Sequence, residues 1–320
     1  MKKHTPLVVG AVLATSSLLL FTRCGTSPAT PRATDSLRDA PVDATDFIVV
    51  AGRRVGIGTR VVKWDDAGGY SAYLEGKHFD RTAAPDGKRR YGTRPGAPKT
   101  LEALRETVHQ FVVHYDVCGT SRQCFKVLQD VRNLSVHFLL DVDGTIYQTL
   151  DVTERAWHAT VANDGAVGIE IAHPGAWRSP LNADMRRWYV KDQDGWRMRF
   201  PAWMTETGVR TPGFVPRPAR PKFVSGVVQG EEYHQFDFTA EQYAALARLL
   251  AGINRALPRI RLEAPRDVDG SVVGRALAPD ALLRFDGVVG HYHVQTNKQD
   301  PGPAFQWDRV LDEARRLRGR

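Results

Sequence analysis

The strongest constraint on the fold is the alternation of helical and short apolar segments between residues 100 and 172. Thr100 stands as an N-cap before a helical pattern over 101–109. Gln110–His114 reads as a buried strand, followed by a helical stretch around 122–132. Val136–Leu140 and Thr145–Leu150 are β-favouring runs joined by Asp141-Val142-Asp143-Gly144. An Asp-Gly step between two such runs is a hairpin signal. Ala166–Ala172 is another buried strand, and Val288-Val289-Gly290 a later, shorter one. Thr239-Ala240-Glu241-Gln242 has the capping-box pattern, and Tyr243, Leu246, Leu249, Leu250, Ile253 and Leu257 recur at helical spacing up to Pro258. That stripe is core. An Arg-rich amphipathic helix over about 305–318 closes the chain. Strands interleaved with helices, plus one hairpin, predict an α/β fold: a mixed β-sheet flanked by helices.

The chain has 320 residues, which suits one large domain or one domain with a small appendage. Residues 1–23 read as a secretory signal peptide, with Lys2 and Lys3 before the apolar stretch Pro6 to Phe21; an uncleaved membrane anchor is the alternative. Cys24 follows directly. Its placement resembles a bacterial lipoprotein signal, in which the cysteine becomes the lipidated first residue, although Arg23 stands where a small residue is expected. Residues 24–46 read as a flexible tether. The expectation is a monomer exported to the cell envelope, a periplasmic lipoprotein if Cys24 is lipidated. In an exported chain, Cys118 and Cys124 suggest a disulfide closing a small loop, with two free thiols as the alternative. The net charge is +8. Without the signal's Lys2, Lys3 and Arg23 a modest basic excess remains, which favours anionic surfaces such as cell-wall polymers or phospholipid head groups. No basic-aromatic motif supports a nucleic-acid partner.

Two regions depart from the main pattern. Residues 47–98 hold short β-like runs and then a Gly/Pro/charge-rich loop, and read as a small β-rich segment packing on the main domain (residues 99–320). Residues 174–237 are rich in proline and hold four of the seven tryptophans: Trp177, Trp188, Trp196 and Trp203. A stretch this long is either a packed structural insertion or a wall or lid of a substrate groove.

The chemistry concentrates in a few residues. His114 ends a buried strand, and His291 holds the equivalent position after a later one. Asp300 lies nine residues on, before Pro301-Gly302-Pro303, a turn that fixes the backbone. Two imidazoles, a carboxylate and an open position make a catalytic zinc site. His293 is a competing ligand, although in a strand it faces away from His291. Glu170, acidic in an apolar strand, must be paired or functional, because burying it alone is costly. Near zinc it suits a general base. Lys298, two residues before Asp300, suits an oxyanion stabiliser; the bland readings are a buried ion pair for Glu170 and a solvated loop charge for Lys298.

At these residues the chain resembles the zinc-dependent N-acetylmuramoyl-L-alanine amidases that share a fold with peptidoglycan recognition proteins. The matching segments include Val112-Val113-His114, Ser135-Val136-His137-Phe138-Leu139, Ala156-Trp157-His158-Ala159, Val167-Gly168-Ile169-Glu170, Gly290-His291 and Lys298-Gln299-Asp300-Pro301-Gly302-Pro303. The resemblance implies Zn2+ held by His114, His291 and Asp300, with Glu170 as acid/base and Lys298 beside it. It implies Trp157 and His158 at the substrate groove, and it supports a Cys118–Cys124 bridge. The implied reaction is hydrolysis of the amide between N-acetylmuramic acid and L-alanine in peptidoglycan or muropeptides. A peptidoglycan-binding module that does not hydrolyse, and an exported zinc hydrolase of another amide, are the alternatives. Val136 stands where some members have a tyrosine, and His293 where an acidic residue is common.

Overall fold

The run Gln110–Tyr115 is buried at every residue because it lies inside a six-stranded sheet. The computed structural model describes residues 46–80 and 86–319. The expected signal peptide, Cys24 and, up to residue 45, the expected tether lie outside the described residues. The strand order is Gly287–Gly290, Gln110–Tyr115, Ala166–Ile171, Phe138–Leu140, Ile146–Gln148 and Val61–Lys63. Only the Phe138–Leu140 and Ile146–Gln148 pair is antiparallel, joined by the expected hairpin; the other neighbours are parallel. Gly144 sits in that turn at φ +81, a conformation that suits glycine. The sheet is mixed and flanked by helices, as the alternating pattern predicts.

The helices follow their local signals. Thr100 caps Leu101–Thr107 by accepting from the Ala103 N–H. Thr239 and Gln242 complete a reciprocal capping box on Ala240–Ala256, whose apolar stripe is buried and packs against Trp307–Arg318. The helix expected around 122–132 is α-helical over Ser121–Lys126 and widens to a π-helix over Val127–Arg132. No helix among the described residues is long and apolar enough to cross a membrane.

Three expectations change. The N-terminal β-rich segment does more than pack on the domain, because its Val61–Lys63 is the edge strand of the main sheet, parallel to Ile146–Gln148. Within the stretch read as a loop, Tyr91–Thr93 pairs antiparallel with Glu154–Ala156. The disulfide is not formed: Cys118 and Cys124 are both free. Their loop is held instead by Asp116, whose Oδ1 accepts the N–H groups of Cys118, Gly119 and His173.

The insertion is folded. It contains the helix Ala183–Trp188 and two hairpins, Tyr189–Asp192 with Gly195–Met198 and Val224–Val228 with Glu231–Gln235. Trp177, Trp188 and Trp196 pack around Met185, Tyr189 and Phe236 in an apolar cluster, whereas Trp203 is 60% exposed. Most of the aromatic richness is therefore a local core.

Candidate metal centre

The sheet register brings two distant histidines together. Gly290 pairs with Val113, so His291 emerges beside His114 where both strands end. A short helix, His291–Val294, starts there and replaces the strand expected for His293. His293 points away from the site all the same: its Nδ1 accepts from the Gly290 N–H and its Nε2 contacts the Val273 carbonyl at 2.6 Å. It is a structural histidine.

His114 Nδ1, His291 Nδ1 and Asp300 Oδ2 form a triangle with sides of 2.9, 3.0 and 3.0 Å. All three residues are buried. Zinc bonds of about 2.0–2.1 Å at tetrahedral angles place donor atoms roughly 3.3 Å apart, close to this triangle. Each ring also has its outer nitrogen occupied. His291 Nε2 lies 2.9 Å from Gln295 Oε1, and His114 Nε2 lies 3.0 Å from His158 Nδ1. With Nε2–H donating outward, both Nδ1 lone pairs face inward, the tautomer a metal ligand needs. Two lone pairs and a carboxylate converging in a buried space call for a cation. The donor set therefore fits zinc.

Electrostatics agree. Burial, then the neighbouring His291, pushes His114 down to about 4, so the ring is neutral. Burial on its own raises Asp300, but the adjacent His291 and His114 outweigh it and hold the carboxyl below the usual range.

The triangle opens on a cavity of about 240 Å³ lined by Trp157, Glu170, Asn297, Lys298 and Arg132, among others. Glu170 is the cross-strand partner of His114. Its Oε2 is buried without a hydrogen-bond partner. Burial, then Asp300 and Asp116, raises its pKa well above that of an ordinary glutamate, with Lys298 opposing the shift. The His158 ring lies over Gly168, where a Cβ would come within 2.5 Å of it. Asn163 Oδ1 anchors the turn before it by accepting the His158 and Ala159 N–H groups.

No residue of 174–237 lines this cavity. The insertion instead supports the ligand segment from outside. Gln229 Nε2 donates to the carbonyls of Tyr292, Gln295 and Lys298. Gln235 Nε2 donates to the Pro301 carbonyl, and its Oε1 accepts the Ala304 N–H. Gly302, at φ +85, leaves no room for a Cβ beside Gln235.

Sequence reasoning missed Gln295, Gln229 and Asp116. Gln295 had a signal, its i+4 spacing from His291, which counts only once that segment is helical. Asp116 also lines the cavity, and burial pushes it up to about 7. Nothing in the sequence pairs Gln229 with a segment more than sixty residues away.

Residues 104–195 match the family described as N-acetylmuramoyl-L-alanine amidase. The match is confined to that stretch, less than half of the chain. The matched stretch holds His114, His158 and Glu170, while His291, Lys298 and Asp300 lie beyond it and are joined to it by the sheet. Among solved structures, a selenomethionine derivative of AmpD aligns over 70% of this chain and 89% of its own, at 17% identity and a TM-score of 0.35. The E. coli N-acetylmuramyl-L-alanine amidase AmiD, in complex with anhydro-N-acetylmuramic acid-L-Ala-D-gamma-Glu-L-Lys, aligns over 64% of this chain and 57% of its own, at 18% identity and a TM-score of 0.36. The endolysin amidase LysCS of Clostridium intestinale aligns over 66% and 86%, at 13% identity and a TM-score of 0.35. No curated protein matches the chain.

Proposed function

We propose that this protein is a zinc-dependent hydrolase of the amide bond between N-acetylmuramic acid and L-alanine in peptidoglycan or its fragments. The observation that carries this reading is the triangle of His114, His291 and Asp300, opening on a cavity that also holds Lys298 and Glu170, whose Oε2 has no hydrogen-bond partner. When bound, zinc supplies a Lewis acid and lowers the pKa of water toward about 7.

The chain's own residues do the rest. Glu170 Oε2 takes a proton from the attacking water as the water oxygen bonds to the amide carbon. The Lys298 ammonium stabilises the negative charge that builds on the amide oxygen. The carbon–nitrogen bond then breaks, and Glu170 returns its proton to the departing alanine nitrogen. The products are a lactyl carboxylate on the sugar and a peptide with a free amine. Trp157 walls the cavity. His158 serves behind His114, holding its ring, more than as a substrate contact. Gln295 does the same for His291.

We also propose that the protein acts in the cell envelope after export, through the signal at residues 1–23, with Cys24 as a lipid anchor. Incubation with a muramoyl-peptide and mass analysis of the products tests the reaction. A free muramoyl lactyl acid and an intact stem peptide are expected. Cleavage within the stem would assign a peptidase, and zinc binding with no cleavage would assign a recognition module.

A further inference from the structure

A second, larger cavity lies away from the metal centre, and the reaction described above does not use it. It encloses about 870 Å³, a size typical of ligand sites. Its walls come from the loop after the Val61–Lys63 edge strand, the start of the Ser121–Lys126 helix, and Gly208–Arg210 of the insertion. The first and third of these lie outside the family match at 104–195.

Its floor is aromatic. Tyr70 stacks on Tyr147 at 4.4 Å and on Phe125 at 5.2 Å. Trp64 and Phe79 stand half-buried in its wall. Hydrogen-bonding groups surround these rings. Arg210 Nε donates to the Tyr147 hydroxyl, which donates to the Gly208 carbonyl. Arg210 Nη2 donates to the carbonyls of Ala67 and Gly68.

The lining charges balance. Asp66 pairs with Lys63, Asp80 with Lys77, and Arg122 with Glu206, while the Arg122 guanidinium also covers Phe79 at 4.4 Å. The Arg210 guanidinium is taken up by the Tyr147 hydroxyl and two backbone carbonyls, and the lining as a whole sets Asp66 and Asp80 against Arg122 and Arg210, with neither sign in excess. Tyr70 and Tyr147 are buried and back the cleft, while the half-buried Trp64 and Phe79 rings present its aromatic surface; such surface edged by donors and acceptors suits a neutral ligand with one apolar face and a rim of hydroxyls, which describes a pyranose ring.

The wall is also rigid. Gly68 sits at φ +72, and a Cβ on Gly69 would lie 2.0 Å from the Lys63 carbonyl oxygen, so the turn accepts little but glycine. Asp66 Oδ2 accepts the Lys63 N–H and closes the same turn. A preformed wall reduces the ordering cost of binding.

We propose that the cleft between Trp64, Tyr147 and Arg210 is a second, non-catalytic site for a neutral oligosaccharide. Its placement suits a polymer. Tyr147 pairs with Leu139, Leu139 with Glu170, and Glu170 with His114, so all four project from one face of the sheet. Three strand spacings separate Tyr147 from His114, roughly 14–15 Å. The Ser121–Arg132 helical segment lies between the two cavities: Arg122 lines one, and Leu128 and Arg132 line the other. That the sugar belongs to the same polymer whose amide is cut rests on the amidase reading; the affinity for sugar does not.

Calorimetric titration of the full chain with a β-1,4-linked N-acetylglucosamine tetramer, which carries no amide to a peptide stem, tests the site. Saturable binding is expected in the wild type and in Glu170→Gln, weakened at least tenfold in Trp64→Ala and in Arg210→Ala, with melting midpoints checked for each variant. Absence of saturable binding by the wild type would overturn the proposal. So would equal affinity in both cleft variants, or loss of binding in Glu170→Gln, which would locate the sugar in the metal cavity. Failure of amide cleavage would leave all these readings intact.

Discussion

Glu170 and His114 are direct cross-strand partners in adjacent parallel strands, so both side chains project from the same face of the sheet. Paired strands hold such neighbours at about 4.8 Å spacing. The register therefore delivers a carboxylate to the edge of the metal triangle without making it a fourth ligand.

This arrangement separates binding from chemistry. Glu170→Gln keeps the shape of the side chain and loses the proton acceptor. We expect kcat to fall by about 10²- to 10⁴-fold, in line with loss of a general acid–base group, with zinc stoichiometry unchanged. Steady-state kinetics beside metal analysis of the same preparation checks both halves.

The residues behind the ligands should act on the metal instead. Gln295 holds His291 through Nε2, and Gln229 holds three carbonyls of the segment between His291 and Asp300. Loss of comparable supporting bonds costs about 10- to 100-fold in metal affinity. We expect Gln295→Ala and Gln229→Ala to weaken zinc binding by that order, read by competition with a chromophoric chelator. His293→Gln should destabilise the fold, because it loses the contact with the Val273 carbonyl, and change zinc affinity little in the folded protein.

The sequence made the local elements legible and left the distant pairings hidden. The Asp143-Gly144 hairpin, the Thr239 capping box and the strand ending at His114 each carry their signal within a few residues. The parallel pairing of Val61–Lys63 with Ile146–Gln148 joins segments that share no turn, so no local pattern announces it. The helix at His291–Val294 is a single turn of β-prone residues directly after a strand, and tertiary contacts override their preference. Of the site, His114, Glu170, His291, Lys298 and Asp300 were readable as chemical types, and Asp116 was not. The supporting amides of Gln229, Gln235 and Gln295 were not, because a glutamine has no sequence signature until its partners are known.

The tryptophans of the insertion divide by what they touch. Trp188 lies against Gly119, where a Cβ would come within 2.6 Å of its ring. Trp203 is largely in solvent. Trp188→Ala leaves a void beside the Asp116 loop and is expected to cost about 3 kcal/mol, whereas Trp203→Ala should stay within about 0.5 kcal/mol. Urea denaturation of the two variants under the same conditions decides this.

Asp141 gives a pH dependence independent of the metal. Its Oδ1 accepts the Val142 N–H, but Oδ2 is buried without a partner, and burial raises its pKa well above 3.8. The folded state therefore binds this proton more tightly than the unfolded state. Its stabilising contribution is present below 3.8 and is lost as pH rises through the folded value. Asp141→Asn removes that dependence. We expect the variant to gain melting temperature relative to wild type at pH 7 and to lose that advantage toward pH 4, as thermal scans across that range would reveal.

The central claim is that His114, His291 and Asp300 hold the zinc on which amide cleavage depends. The most direct measurement is elemental analysis coupled to a muramoyl-peptide cleavage assay, before chelation, after it, and on addition of zinc. The account predicts one zinc per chain, loss of both metal and activity on chelation, recovery at one equivalent of zinc, and neither in Asp300→Ala. Cleavage at the muramoyl–alanine bond that persists in metal-free protein would contradict it.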